Sequence, residues 1–495
     1  MRVNARVIQA FWGAAFCCLP VWAFSVPMTL HQAIDYALMH NPQLQIDYNS
    51  RKLQRYTLLI AQDAFHPKFS INASSSYNRM ETSGTGQEPG ALTTKEASIG
   101  PGVTWTLPLG TVLSASTGYS PSWQSGSGSQ SVDGGLSRGG VWTVGIEQPL
   151  LNGFGVAINE ASLYSAQDQQ AIDSYQLEDD ISHLILQVTQ DYYAVVQASQ
   201  SLRINQAMLN QDQKQLNNRQ KLFQAGRIPQ ESVTQSEIDI GTQQLALSQA
   251  SQALSLARQK LSADLGLPNQ TRFDVDSHLS IQEIHPKFSQ ALSLALHNDR
   301  DLKADKLSYQ ESLRAIGVSE NSRLWNLDLD VTRSRSLENT SNPISIPNFP
   351  TSENTISDNT MVSLTLSIPL DQLSMDQKSL SSAIAAQNAQ LSLQNTERTL
   401  RSTVQSQVQN LESAWQQLTL SKRQWVLTQQ SVRSAAVQFQ YGKMDAFTFS
   451  EQQASLVNAK LAVISAEINY MTQVMNYQAM TGTLLPLWGV HLERN

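Results

Sequence analysis

The chain has 495 residues and a formal net charge of -7, and only 15% of its residues are charged, against roughly 25% in an average soluble protein. No basic stripe is available to neutralise phosphates, which argues against nucleic acid as a partner. Length alone points to three or four globular domains, an inference that fails for elongated repeat architectures.

At the amino terminus Arg2 and Arg6 precede a mostly apolar run from Val7 to Val21, and Ala23 follows. This reads as an export signal over residues 1–23. The run is shorter than the about 20 apolar residues a membrane helix needs, and Gln9 interrupts it. Both cysteines of the chain, Cys17 and Cys18, lie inside it, so no disulfide framework is expected after cleavage. Phe16 stands before Cys17 where acylation wants a small residue. No later stretch has the length of a membrane helix, so any crossing must use strands in a closed barrel.

The predicted elements then follow in order. From about Leu30 to Ala64 an amphipathic helix is expected, with Ala33, Ala37, Leu38, Asn41 and Leu44 near its start. Phe69, Ile71 and Ala73 open a strand, and Val144 and Ile146 close another before Pro149-Leu150. Between them Val103, Trp105 and Leu107 face Val112 across Gly110-Thr111 as an additional apparent hairpin. Ser83–Gly90 and Ser125–Gly140 are Gly/Ser-rich and read as exposed loops at the cell surface.

Residues 156–225 contain neither Gly nor Pro, and Ile181, Val188, Val195, Leu202, Leu209, Leu216 and Phe223 recur every seven residues. A long helix is expected, ending at Gly226, with a return helix from about Pro229 to Ala263. A strict seven-residue period keeps one seam facing a partner only if the helices supercoil left-handedly, so each hairpin is expected to be a coiled coil near its turn.

The second half repeats the first. Ala291, Ala295, Leu296, Asp299 and Leu302 echo the opening helix. Leu327, Leu329 and Val331 alternate with Asp328, Asp330 and Thr332 in one strand, and Val362, Leu364, Leu366 and Ile368 alternate with serine and threonine in another before Pro369. The intervening Ser336–Asn359 reads as a loop. Val404, Leu411, Leu418, Trp425, Val432 and Phe439 repeat the heptad stripe at a constant offset of 216, and Leu456, Val463, Tyr470 and Tyr477 continue it beyond Gly442. The division expected is a first repeat over 24–284, a second over 285–484 and a tail over 485–495. A 70-residue helix spans about 105 Å and a return helix about 50 Å, so two short helices stacked end to end are expected beside each long one, giving a rod on the order of 100 Å. The fold class expected is an α+β membrane protein with a polar-in, apolar-out barrel wall and Asp328 and Asp330 as lumen candidates, although a surface strand of a soluble sandwich shows the same alternation.

The opening Leu30-His31-Gln32-Ala33-Ile34-Asp35-Tyr36-Ala37-Leu38 with Asn41-Pro42-Gln43-Leu44, its echo at Gln290–Leu296, and the glycine turns after Phe223 and Phe439 resemble the TolC-type outer-membrane factor family over almost all of the mature sequence. The resemblance implies a homotrimer in the outer membrane with a periplasmic helical extension. In it each protomer gives four strands to a shared barrel and its helices to a periplasmic tunnel. It also implies docking of the hairpin tips to a periplasmic adaptor (membrane fusion) protein and an inner-membrane transporter, in a tripartite efflux pump or type I secretion system, and it implies no cofactor.

Family members often carry acids six and nine positions after the tip glycine. Here those positions are Ser232 and Gln235, then Thr448 and Glu451, so only Glu451 matches. Glu451, Asp445 and Glu231 are the gate candidates, with Glu237 nearby; a solvated charge at a helix end is the bland reading of each acid. Gly226 and Arg227, with Gly442 and Lys443, are the adaptor-docking candidates, although a helix C-cap alone explains both glycines. The extra hairpin leaves the strand count open. A passive duct needs a polar lumen and a closable end, and opening is expected by untwisting of the tips when partners bind the open state better. Eight scattered His, no G-x-S-x-G elbow and no phosphate loop give an enzyme no foothold. A soluble periplasmic coiled-coil scaffold is the alternative reading; it explains the heptads but not the alternating strands.

Overall fold

The computed structural model describes residues 27–82, 90–127, 135–268, 273–277, 281–341, 352–370 and 372–490. The expected export signal lies outside them. Helices α1 (Leu30–His40) and α2 (Pro42–Asp63) lead to strands β1 (Lys68–Thr82), β2 (Gly90–Thr106), β3 (Val112–Ser127) and β4 (Gly135–Pro149), then to α3 (Val156–Asn159), α4 (Ala161–Gln224) and α5 (Gln230–Asp264). The order recurs in shorter form as α6 (Phe288–Asn298), α7 (Arg300–Asn321), β5 (Asn326–Ser341), β6 (Ser352–Ser367), α8 (Leu373–Gln440), α9 (Ala446–Met480) and α10 (Leu484–Leu487).

The single opening helix expected over Leu30–Ala64 is two helices. Thr29 and Gln32 form a capping box at the start of α1, and Pro42 pushes Asn41 out of the helical region to ψ 123°. The Asn41 side chain repairs the break: its Oδ1 accepts from Leu44 N at 3.1 Å and its Nδ2 donates to Asp264 O at 2.7 Å. In the second repeat Asp299 holds ψ 128° without a following proline, and its Oδ1 accepts from Leu302 N at 2.7 Å. Here the side-chain cap makes the break alone.

Two compact units divide the chain, and both repeats contribute to each. The first, residues 1–52, 172–304 and 393–495, is helical in its described residues. Its core is the heptad stripe. Ile181, Val188, Val195, Val404, Leu411 and Leu418 are at most 1% exposed. Ala33, Ala37 and Leu44 cluster with Ile181, Ile185 and Val188, as Ala291, Ala295 and Leu302 do with Leu400 and Val404; alanines let helix backbones approach. Leu484 and Leu485 join the first cluster, so the segment read as the start of a tail is packed.

Gly266 (φ +70°) closes α5, and Gly482 (φ +70°), 216 residues on, closes α9. A side chain at Gly266 would meet His40 O at 2.5 Å, and one at Gly482 would meet Asn298 Cβ at 2.4 Å. His40 and Asn298 end α1 and α6. In each repeat the end of the short opening helix is therefore seated on the C-cap of the return helix.

The second unit, residues 53–171 and 305–392, holds one six-stranded antiparallel sheet in the order β1-β2-β3-β4-β5-β6. Cross-strand partners share a face, so the register sorts the side chains. One row runs Trp105, Leu113, Ile146, Val331, Val362; a row on the other face runs Ser70, Gly102, Ser116, Thr143, Ser334, Asn359. The apolar face has no core beneath it: Phe69 is 84%, Ile71 76% and Val362 66% exposed. A sheet that is apolar outside and polar inside suits lipid on one side and water on the other.

Two expectations need correction. Ser125–Gly140 and Ser336–Asn359 were expected to be loops, but strand continues through Ser127, resumes at Gly135, and covers Ser336–Ser341 and Ser352–Asn359. Backbone pairing carries these ends, where side chains face water on both sides and lose the apolar alternation by which a strand is read. Second, the strand count left open by the extra hairpin is six in the sheet of the described residues, where the resemblance implies four. The repeats are offset by 258 at Ala33 and Ala291 but by 216 at Val188 and Val404, so the first repeat holds 42 additional residues between those points. The 258 offset brings Lys68, the first residue of β1, onto Asn326, the first of β5. The insertion therefore falls after β1 and contains β2 and β3.

Candidate functional site

Both hairpin tips are built from the same backbone device. Gly226 at φ +68° and Gly442 at φ +69° take the left-handed conformation. Arg227 N donates to Leu222 O and Gly226 N to Phe223 O, and Lys443 N and Gly442 N repeat this with Gln438 O and Phe439 O, at 2.8–3.0 Å. These Schellman motifs explain the glycines by φ alone, since a Cβ at either would meet nothing within 4 Å. Gly226, Arg227, Gly442 and Lys443 are all exposed. Within the second hairpin Phe439 stacks on Phe449, with centroids 4.9 Å apart.

The three gate candidates differ. Asp445 is the N-cap of α9: Oδ1 accepts from Thr448 N at 2.9 Å and Oδ2 from Thr448 Oγ1 at 2.6 Å. The Thr448 hydroxyl and backbone hydrogen bonds hold its carboxyl below the usual range. Helix capping accounts for Asp445, whereas Glu231, Glu237 and Glu451 remain exposed on α5 and α9. Of the other family positions, Ser232 contributes its carbonyl to Arg219 Nη1 at 3.4 Å, and Gln235 Nε2 donates to Asp239 Oδ1 at 3.0 Å.

Sequence reasoning missed the buried polar cluster above the first tip. Arg219, 5% exposed, donates from Nη1 to Ser236 Oγ at 2.5 Å, and Asp212 and Asp239 supply the opposing charge. Burial, then the negative charge of Asp239, pushes the Asp212 carboxyl up to about 6, against the pull of Arg219. The signal was present, because Asp212 and Arg219 are seven residues apart and so share a helix face. Polar bonds also join the two hairpins: Gln197 Nε2 to Ser465 Oγ and Gln215 Nε2 to Gln453 Oε1, both at 2.9 Å, and Ser450 Oγ to Asp239 Oδ2 at 3.5 Å.

A second buried cluster joins α4 to the end of α5. Lys260 Nζ lies 2.9 Å from Asp191 Oδ1, and Gln187 Nε2 donates to Asp191 Oδ2 at 3.0 Å. Burial raises Asp191, but hydrogen bonds from Asp264, Lys260 and Gln187 outweigh it and hold that carboxyl low. Burial, then the hydrogen bond and charge of Asp191, push Asp264 up to about 7. A carboxyl whose folded value is raised stabilises most below its unfolded value near 4, and that contribution is lost as pH rises through the folded value. Thermal stability should therefore fall between about pH 5 and pH 8 as Asp212 and Asp264 ionise. Asp212→Asn with Asp264→Asn should flatten the dependence in a melting series at the two pH values; an unchanged slope would rule out these two groups as its source.

In the sheet, Asp328 and Asp330 lie on the polar face. Asp330 is opposite Glu147 and Ser363, and Asp328 opposite Pro149 and Thr365. On the apolar face, Trp105 Nε1 donates to Phe65 O at 2.9 Å. Lys95 Nζ lies 5.1 Å from the Trp123 ring and 6.0 Å from that of Tyr77. Aromatic residues with a polar handle at both ends of an apolar band mark the two interfaces of a membrane wall. No helix among the described residues is long and apolar enough to cross a membrane.

The family described as "Outer membrane efflux protein" matches residues 112–267 and 291–483. The chain belongs to the outer membrane efflux protein family. The first matched segment begins at Val112, where β3 begins, and the second spans nearly all of the second repeat. No curated relative matches the sequence. Among solved structures, the outer-membrane channel OprN is similar with a TM-score of 0.68 at 14% identity, over 92% of this chain and 90% of that one. The Campylobacter jejuni CmeC outer membrane channel gives 0.66 at 14%, over 92% and 86%. The Vibrio cholerae outer membrane protein VceC gives 0.66 at 14%, over 92% and 96%. At these identities the likeness establishes the fold, and the family match makes this an outer-membrane efflux protein.

Proposed function

We propose that three copies of this efflux protein form a passive exit duct, serving a tripartite pump or a type I secretion system and opened by partner-driven untwisting of the hairpin tips. The observation that carries this reading is the coreless amphipathic sheet, whose apolar face is satisfied only by lipid and whose edges, β1 and β6, need strand partners within a membrane. Apolar residues left uncovered on the helices support an assembly as well: Ile238 and Leu245 on α5 and Leu420 and Leu427 on α8 are seven apart in pairs and more than half exposed.

The bare tips, with Arg227 and Lys443 beside their glycines, suit docking by an adaptor. The hydrogen bonds between the hairpins, through Gln197, Gln215 and Ser450, are the contacts that untwisting must exchange for water or for adaptor groups. Each is neutral or singly charged, so the exchange costs little, as a reversible gate requires. Glu451, three to a trimer, is the residue that would set cation preference at the mouth.

Conductance of the detergent-extracted protein in planar bilayers, measured with its oligomeric mass, tests the reading. Discrete conductance from a trimer is expected, with cation preference reduced by Glu451→Ala. A water-soluble species without conductance would overturn the duct in favour of a periplasmic scaffold. A conducting trimer indifferent to Glu451→Ala would remove only the assignment of the mouth.

A further inference from the structure

The inserted hairpin has a consequence for the pore. We propose that β2 and β3 are full wall strands, so that three chains close an eighteen-stranded barrel whose aqueous opening admits bulkier polar cargo than a ring of four strands per chain. The proposal rests on the trimeric duct proposed above.

Three observations place the hairpin in the wall. It is fully paired into the sheet: β2 pairs with β1 from Lys68–Thr104 to Thr82–Gly90, and β3 with β4 from Val112–Glu147 to Gln124–Gly135. It also has the two faces of a wall. Val103, Ile99, Leu113, Ala115 and Tyr119 share the apolar face of the flanking strands, while Thr104, Gly102, Ser98, Ser114 and Ser116 share the polar one. A plug within the lumen would be polar on both faces, because both would meet water.

Third, the turn between β2 and β3 sits at the helix end of the sheet, where an extracellular flap has no reason to reach. Gly110, at φ +92°, approaches Gly153 and Pro149 just beyond β4, and Gly155 N donates to Leu109 O at 3.2 Å. Strands of 17 and 16 residues exceed the about 9–11 residues needed to span a bilayer. The inserted strands are also shaped for curvature. Pro101 and Pro121 interrupt the β2–β3 ladder, and a Cβ at Gly100 would stand 2.0 Å from Thr117 O. Such irregularities bend a sheet towards closure.

Barrel diameter grows roughly linearly with strand number, so eighteen strands give an opening about one and a half times as wide as twelve at equal tilt. The lining contributed by the hairpin is mostly small, with Gly102, Ser98, Ser114 and Ser116, and carries Glu96 on the same face, which leaves the added width to water. A membrane passage of this width sets a looser size limit on hydrophilic solutes than a twelve-stranded one.

The test is a distance. A spin label at Val144→Cys in β4, where the only other cysteines are Cys17 and Cys18 in the leader, reports the separation between equivalent sites in the full-length oligomer. Strands about 4.8 Å apart and tilted about 40° place equivalent backbone sites about 30 Å apart in an eighteen-stranded trimer and about 20 Å apart in a twelve-stranded one. The longer distance is expected, falling to the shorter when Gly90–Ser127 is excised. The shorter distance in the full-length trimer would overturn the widened barrel and leave the duct standing. Absence of any distance between copies would instead remove the trimer on which both rest.

Discussion

Replacing Gly266 by valine should lower the stability of the helical unit by about 3 kcal/mol or more, among the largest effects of any single substitution in the chain. Two independent costs combine. At φ +70° a β-branched residue sits in a strained region, and the new Cβ stands 2.5 Å from His40 O and 3.1 Å from His40 C. These are backbone atoms and cannot rotate away. Movement of His40 would also pull on Asn41, whose side chain bonds Asp264 O and caps α2. Gly241→Ala provides the contrast, because that glycine lies within α5 with nothing within 4 Å of its Cβ; it should stabilise by up to about 1 kcal/mol through helix propensity. Thermal melts of the two variants check the pair. Equal midpoints would show that the seating of α1 on α5 does not hold the unit together.

Removing the buried cation of the first hairpin is the second large effect. Arg219→Ala leaves Asp212 and Asp239 facing one another without it and takes the donor from Ser236 Oγ. Losing a buried hydrogen bond from a charged donor costs about 1.5–3 kcal/mol, and the two half-buried carboxylates lose a nearby opposite charge. The Asp212 carboxyl is raised to about 6, and loss of Arg219 raises it further, so protonation relieves the penalty in acid. The destabilisation should accordingly be about 2 kcal/mol at pH 8 and visibly smaller at pH 5. Hydrogen exchange of the α4 and α5 amides near Gly226 measures it locally, with faster exchange expected at the higher pH. A loss that is the same at both pH values would mean that Arg219 acts through packing of its stem, and not through the two carboxylates.

The tips and the barrel face were readable for different reasons. A heptad stripe that continues through Gly226 and Gly442 at a constant offset leaves a hairpin as the natural solution, and the φ of both glycines agrees. Asp328 and Asp330 were assigned to the polar face because alternation over six residues fixes a face once the strand exists. By contrast, the acids near the tips differ only in their partners. Asp445 caps α9 through Thr448, while Glu451 stays exposed, and spacing from a glycine does not separate the two. The Asp191 and Asp264 pair was invisible for the same reason, since 73 residues separate two carboxylates brought together by the return of α5 along α4.

By itself the sequence determined the long helices, the central parts of the strands and the duplication, because helix and strand periods are local properties and a repeated period records a repeated unit. It also determined the amphipathic character of the wall, which is set by alternate residues on one strand. Only the tertiary structure decided that the extra hairpin pairs into the sheet and how far the strands run, since pairing joins distant segments and the Gly/Ser-rich strand ends pair through backbone groups that leave no trace in side-chain pattern. The same holds for the buried ionisable clusters and for the seating of His40 against Gly266: each depends on where distant segments meet, and burial, not residue type, gives those groups their energies.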